Sequence, residues 1–374
     1  MKSFGIRTIR IAARWHLIES SPGAYDFRSL EGLLDAADAN EVEVVLDVLH
    51  FGWPDHIDVL SMDFANHFAK FTCALSNYLT SRAVLTPFIT PVNEISYVAW
   101  AGGEKGCISP FVVNRGDELK RNLVRAAIAA SRVLLNEIPG VRLISPEPAI
   151  HIVGNPDIPG DEEEAAAYTA AQYQSWDMLS GALAPELGGR PEYLDLLGVN
   201  FYARNEWSHN GGPLSRNDHR FRAFRDILSE IWTRYRRQMF IAETGTEDEA
   251  RSSWFRYVCD EVWAARSHGL PILGICLYPV LNHAGWDDDR HCYNGLFDYP
   301  SARGEREVYE PLAEELLDQQ KRFAERSRAN YDEHEHRSDL LLASPLELRV
   351  SASSASDESL RPPTTSLFLR GAAV

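Results

Sequence analysis

Val42–Leu49, VEVVLDVL, is a β-branched and apolar run that alternates only weakly. A parallel strand buried on both faces reads this way, whereas a half-exposed strand alternates strictly. Residues 194–202, LDLLGVNFY, carry the same signature. Longer stretches of helical period flank both runs. The polar face of one of them is plain in residues 118–137, ELKRNLVRAAIAASRVLLNE.

Working outward, strands are expected at Thr8–Ala13, Val42–Leu49, Phe88–Val92, Arg142–Ser145, Leu194–Asn200, Met239–Ala242 and Ile272–Tyr278. Helices are expected between them at Ser29–Ala39, Phe64–Thr80, Glu118–Asn136, Ala165–Leu183, Phe221–Tyr235 and Trp254–His268. Strand–helix alternation implies an α/β fold, a parallel sheet with helices packed outside it. The length, 374 residues, suits a (β/α)8 TIM barrel, which needs eight strands where seven are legible. MKSFGIRTIR reads as the end of a helix running into a strand, so the first barrel strand is expected to be missing from this chain, either by truncation or because the barrel is closed in some unusual way.

Glu310–Arg326 reads as a final helix, with Pro311 in its first turn. Beyond it the composition changes. Residues 331–339, YDEHEHRSD, form a charge run, and 351–366, SASSASDESLRPPTTS, are low-complexity sequence. Such segments bury too little apolar surface to offset their ordering entropy. The expected organisation is a barrel domain over 1–326 and a disordered tail over 327–374.

Apolar residues make up 45% and charged residues 24%, the balance of a folded globular enzyme. The formal net charge of -17 argues against nucleic-acid or anionic-membrane partners. Cys73, Cys107, Cys259, Cys276 and Cys292 are scattered and odd in number, unlike a disulfide framework or zinc site. No secretory signal or membrane span is legible, so a cytoplasmic location is expected.

Catalytic groups of such barrels lie at the C-terminal ends of strands. The polar residues there include Arg10, His50, Asn93, Glu94, Asn200, Tyr202 and Glu243, with Tyr278 and Trp286 at and beyond the last strand. Two glutamates at strand ends match the demands of glycoside hydrolysis. One carboxyl must be protonated to protonate the leaving oxygen, and the other ionised to attack the anomeric carbon. Arg10 is a cation suited to keeping such a nucleophile charged. Phosphate-binding glycine loops and a G-x-S-x-G elbow are missing from the sequence.

The motifs resemble those of the clan A glycoside hydrolases, most closely family 1, the β-glucosidase family. TIRIAARW is similar to Y-R-F-S-I-S-W, LHFGWP to L-x-H-F-x-x-P, TPVNEI to T-x-N-E-P, GVNFYAR to G-I-N-Y-Y-T-R and FIAETG to I-T-E-N-G. The resemblance spans residues 1 to about 325. It implies Glu94 as acid/base and Glu243 as nucleophile of a retaining β-glucosidase-like enzyme that needs no cofactor or metal. It further implies Arg10, Asn93 and Tyr202 as catalytic support, and His50, Asn200, Tyr278 and Trp286 as substrate-binding residues for a small glycoside.

Some positions depart from the family. YPVLNHAGW stands where W-S-L-L-D-N-F-E-W is expected, so Tyr278 replaces a tryptophan and Gly285 a sugar-binding glutamate. Ile95 replaces the proline after the acid/base. Alternative readings are a non-catalytic carbohydrate-binding relative or truncated inactive fragment, and a transglycosidase of the same clan. Asp287–Asp289 with His291 and Cys292 read as a solvated loop rather than a metal site. Glu147 reads as a substrate-binding or structural carboxylate. Trp53 and Trp100 read equally as cleft or core residues.

Overall fold

The computed structural model describes residues 1–82, 88–285, 288–342 and 368–372. Its barrel strands are β1 (Thr8–Ala12), β2 (Glu43–Leu49), β3 (Phe88–Val92), β4 (Arg142–Pro148), β5 (Leu196–Asn200), β6 (Met239–Thr244), β7 (Ile272–Leu277) and β8 (Phe368–Ala372). They close a barrel in chain order, with β8 lying between β7 and β1. The outer helices are α1 (Arg28–Ala39), α2 (Phe64–Ser81), α3 (Ile95–Val98), α4 (Gly116–Glu137), α5 (Asp161–Ala170), α6 (Gln174–Ser180), α7 (Phe224–Tyr235), α8 (Ala250–Ser267) and α9 (Glu310–Leu342).

The architecture is therefore the expected TIM barrel, and no described strand precedes Thr8. The vacant place is taken by the far end of the chain. Ile9 and Arg10 pair with Gly371 and Ala372, and Phe368 to Gly371 pair with Gly274 to Leu277. A barrel of seven strands would leave the backbone groups of β1 and β7 unpaired along two edges, and β8 satisfies both. The stretch LFLRGAAV is apolar, unlike the Ser/Pro/Thr-rich sequence before it. Helix α9 also runs past Arg326, where the sequence suggests its end.

One expected helix divides. Residues 165–183 form part of α5, a 3-10 turn at Ala171–Tyr173, and α6, which stops at Gly181. Gly181 has φ 83°, a left-handed C-terminal position that glycine enters without strain. The main core lies between sheet and helices, where Trp15 stacks on Phe71 at 5.1 Å beside Phe64 and Phe68. A smaller core fills the barrel, with Val45, Ile144, Leu196 and Phe240 pointing inward. Both faces of β5 and β6 are buried, which accounts for their continuous apolar sequence.

Candidate active site

Arg10 enters the barrel from β1 and is 4% exposed, so each of its donors needs a partner. Nε donates to Asp47 Oδ1 at 2.9 Å, Nη1 to Glu243 Oε1 at 2.6 Å, and Nη2 to Asn93 Oδ1 at 2.5 Å. Nη2 also lies 2.7 Å from Asp47 Oδ2. One guanidinium thus ties together the ends of β1, β2, β3 and β6. Burial opposes its charge, but Asp47 and Glu243 outweigh this and strengthen its hold on the proton.

Glu243 accepts a second hydrogen bond, from the Tyr202 hydroxyl to Oε2 at 2.7 Å. Both carboxyl oxygens are therefore held by donors, which fixes the plane of the group. Its chain is pinned as well. Gly245 sits so close to Tyr278 that an added Cβ would fall 1.9 Å from that residue's carbonyl oxygen.

Asp47 is the residue that the motif reading missed. It is 1% exposed, and its Oδ2 lies 2.8 Å from His50 Nδ1. Burial penalises its charge, yet Arg10 and His50 outweigh the penalty and hold it below the usual carboxylate range. The available signal was a carboxylate near the end of a strand that is apolar after Glu43. His50 Nε2 in turn lies 3.4 Å from Asn93 Nδ2, so Asp47 orients two of the expected site residues at once.

Glu94 follows β3 and is 8% exposed. Its backbone is left-handed, φ 45° and ψ 55°, at the first position before α3. A side-chain-bearing residue enters that region at a cost, and such strain recurs at functional sites. Burial pushes its carboxyl well above the ordinary range and Glu243 adds to this, with a smaller contribution from Glu147; Asn200 and Arg10 pull the other way. The Asn200 amide is fully buried and faces Glu94, whose carboxyl it draws toward the ionised form; among the described residues neither of its polar atoms has a partner at strict hydrogen-bond geometry.

Glu94, Glu243, Tyr202, Tyr278 and His50 all border one cavity of about 670 Å³, and Trp53 lines it too. Tyr278 meets Tyr202 edge to face at 6.4 Å. Trp286 lies outside the described residues. Trp100 borders a second cavity instead, beside Tyr97 and Tyr168. Among the described residues, the only cluster with metal-ligand spacing is Asp161, Glu164 and His209. It lies away from the cavity, and Asp161 is already engaged by His209, Asn210 and the Asn155 amide.

No protein-family profile matches the chain, and no curated protein matches its sequence. Its fold does have close counterparts. The β-glucosidase from Thermotoga maritima in complex with glucoimidazole superposes with a TM-score of 0.71 at 15% identity, covering 84% of this chain and 83% of that one. The chain has the fold of a family 1 β-glucosidase. A Thermotoga maritima family 1 glycoside hydrolase complexed with a cyclophellitol analogue gives 0.69 at 15% identity, covering 85% and 84%. The same β-glucosidase in complex with castanospermine gives 0.68 at 15% identity, covering 84% and 83%. In the present chain the closing barrel strand is residues 368–372.

Proposed function

We propose that this protein is a retaining β-glycosidase, with a small glycoside as substrate and no cofactor. The observation that carries the reading is a functional asymmetry between two carboxyls on one cavity. Glu243 is clamped by Arg10 and Tyr202, while Glu94 is buried and biased toward its protonated form. A protonated acid beside a carboxylate held by a cation is the pairing that glycoside hydrolysis requires.

In this reading, Glu243 Oε attacks the anomeric carbon as the bond to the leaving oxygen breaks, and Glu94 gives that oxygen its proton. A covalent glycosyl-enzyme results. Glu94, now ionised, takes a proton from water as the water oxygen attacks the same carbon, and Glu243 leaves as carboxylate. Tyr202 and Arg10 receive the returning charge. In the same reading Asn93, His50 and Asn200 would hold sugar hydroxyls, with Tyr278 against the sugar; His50 and Tyr278 line the cavity. The five free cysteines suit a reducing, cytoplasmic setting.

The test is turnover of a panel of nitrophenyl β-glycosides beside Glu243→Ala, with a 2-deoxy-2-fluoro glycoside as a trap. Activity lost in the variant, and a glycosyl adduct on the Glu243 peptide, are expected. Inactivity of the folded wild type across the panel, or an adduct on another residue, would overturn the reading.

A further inference from the structure

Glu147 lies on β4, one residue after the carbonyl that receives the Glu94 amide. The Glu94 N–H donates to Pro146 O at 3.1 Å. Two residues on, the Ser96 N–H donates to Glu147 Oε2 at 3.0 Å. Helix α3 has no side-chain cap of its own at Glu94, so the carboxylate of a neighbouring strand does the capping. The left-handed Glu94 is therefore gripped on both sides by consecutive residues of β4.

The carboxyl is fully enclosed. Glu147 is 1% exposed and makes no ion pair among the described residues. The Ser96 and Ser175 hydroxyls, 2.7 Å from one another, close over it from α3 and α6. Lys120 on α4 reaches the same region but donates to Gln174 Oε1 at 2.7 Å. Burial pushes Glu147 up to about 7, against the pull of Ser96, Lys120 and Ser175. Its charge also acts on Glu94, as do Glu243 on β6, Arg10 on β1 and Asn200 on β5.

We infer that Glu147 is a positioning residue for Glu94: it fixes the turn that aims the acid/base. The inference rests on the proposed glycosidase reading for its kinetic consequences, but not for the coupling itself. Above about pH 7 Glu147 is ionised, and its charge then favours the proton on Glu94. Removing the anion should therefore move the alkaline limb of kcat/KM to lower pH.

Glu147→Gln keeps an acceptor for Ser96 and removes the charge, whereas Glu147→Ala removes both. Glu147→Gln is expected to retain kcat at its optimum within a few-fold, with the alkaline limb shifted acidward by at least half a pH unit. Glu147→Ala is expected to lose activity on alkyl glycosides, which need a proton from Glu94, and to spare dinitrophenyl glycosides, which need little. Carbon-13 NMR titration of labelled glutamate carboxyls, with Glu94→Gln for assignment, reads the coupling without turnover. A lowered Glu94 titration in Glu147→Gln supports the inference even if no glycoside is hydrolysed, an outcome that would sink the glycosidase reading alone. An unmoved Glu94 titration, or equal losses on both leaving groups in Glu147→Ala, would overturn it.

Discussion

Arg10 Nη1 and Glu243 Oε1 meet at 2.6 Å across 233 residues of chain, both of them buried. The pair joins the first described strand to the sixth and orients the carboxyl expected to act as nucleophile. Its geometry makes several of the following outcomes specific.

Arg10→Met leaves Glu243 and Asp47 buried without their shared cation. Breaking one side of a buried ion pair costs about 3–5 kcal/mol, so urea denaturation should show a loss of that order, with activity abolished. Arg10→Lys keeps the charge but loses the fork that reaches three partners, and should recover stability only in part. A neutral effect of Arg10→Met on stability would contradict the clamp.

Tyr202→Phe removes one donor from Glu243 and changes little else. Hydrogen bonds to charged groups are worth about 1.5–3 kcal/mol, so kcat should fall roughly 10- to 100-fold. The buried carboxylate loses a donor, so the unfolding midpoint should fall as well. Steady-state kinetics and thermal denaturation together check this.

Glu147 titrates near 7 in the folded protein against 4.5 in its ordinary state. Between these values the folded chain holds a proton that the unfolded chain has released. Its contribution to stability is present below about pH 4.5 and falls as pH rises to about 7. Glu147→Gln carries no such proton. From pH 4 to pH 8 the variant should gain on the wild type by about 3 kcal/mol, read from urea midpoints across pH. A difference that is independent of pH would refute the raised titration.

A variant ending at Leu342 lacks β8 and exposes the facing edges of β1 and β7. It should unfold earlier and aggregate more readily, because unpaired edges recruit other strands. Adding a peptide of residues 363–374 should restore part of the lost stability. A truncated chain as stable and as monomeric as the full one would show that the barrel does not depend on β8.

Much of the site was legible because its residues end apolar runs. Arg10 lies within β1, while Asn93, Glu94, Tyr202 and Glu243 each follow or lie near the end of a strand, and the barrel brings these positions together. Asp47 was harder to see, since a carboxylate inside VEVVLDVL has no distinctive neighbour in sequence. Glu147 stood out as a strand-end carboxylate, but Ser96, which it holds, comes from a different βα unit. The closing strand was hidden by the low-complexity sequence before it.

The sequence by itself determined the alternation of buried strands with amphipathic helices, and the polar groups that end the strands. Those properties are local, set by side-chain period over ten to twenty residues. Tertiary structure alone decided that Phe368–Ala372 lies between β7 and β1, that Arg10 is shared among Asp47, Asn93 and Glu243, and that Glu147 caps the turn of Glu94. Each of these depends on backbone and charged groups that water could satisfy equally well in an unfolded chain. Closing the barrel removes that water, and buried donors and acceptors must then find one another across the fold.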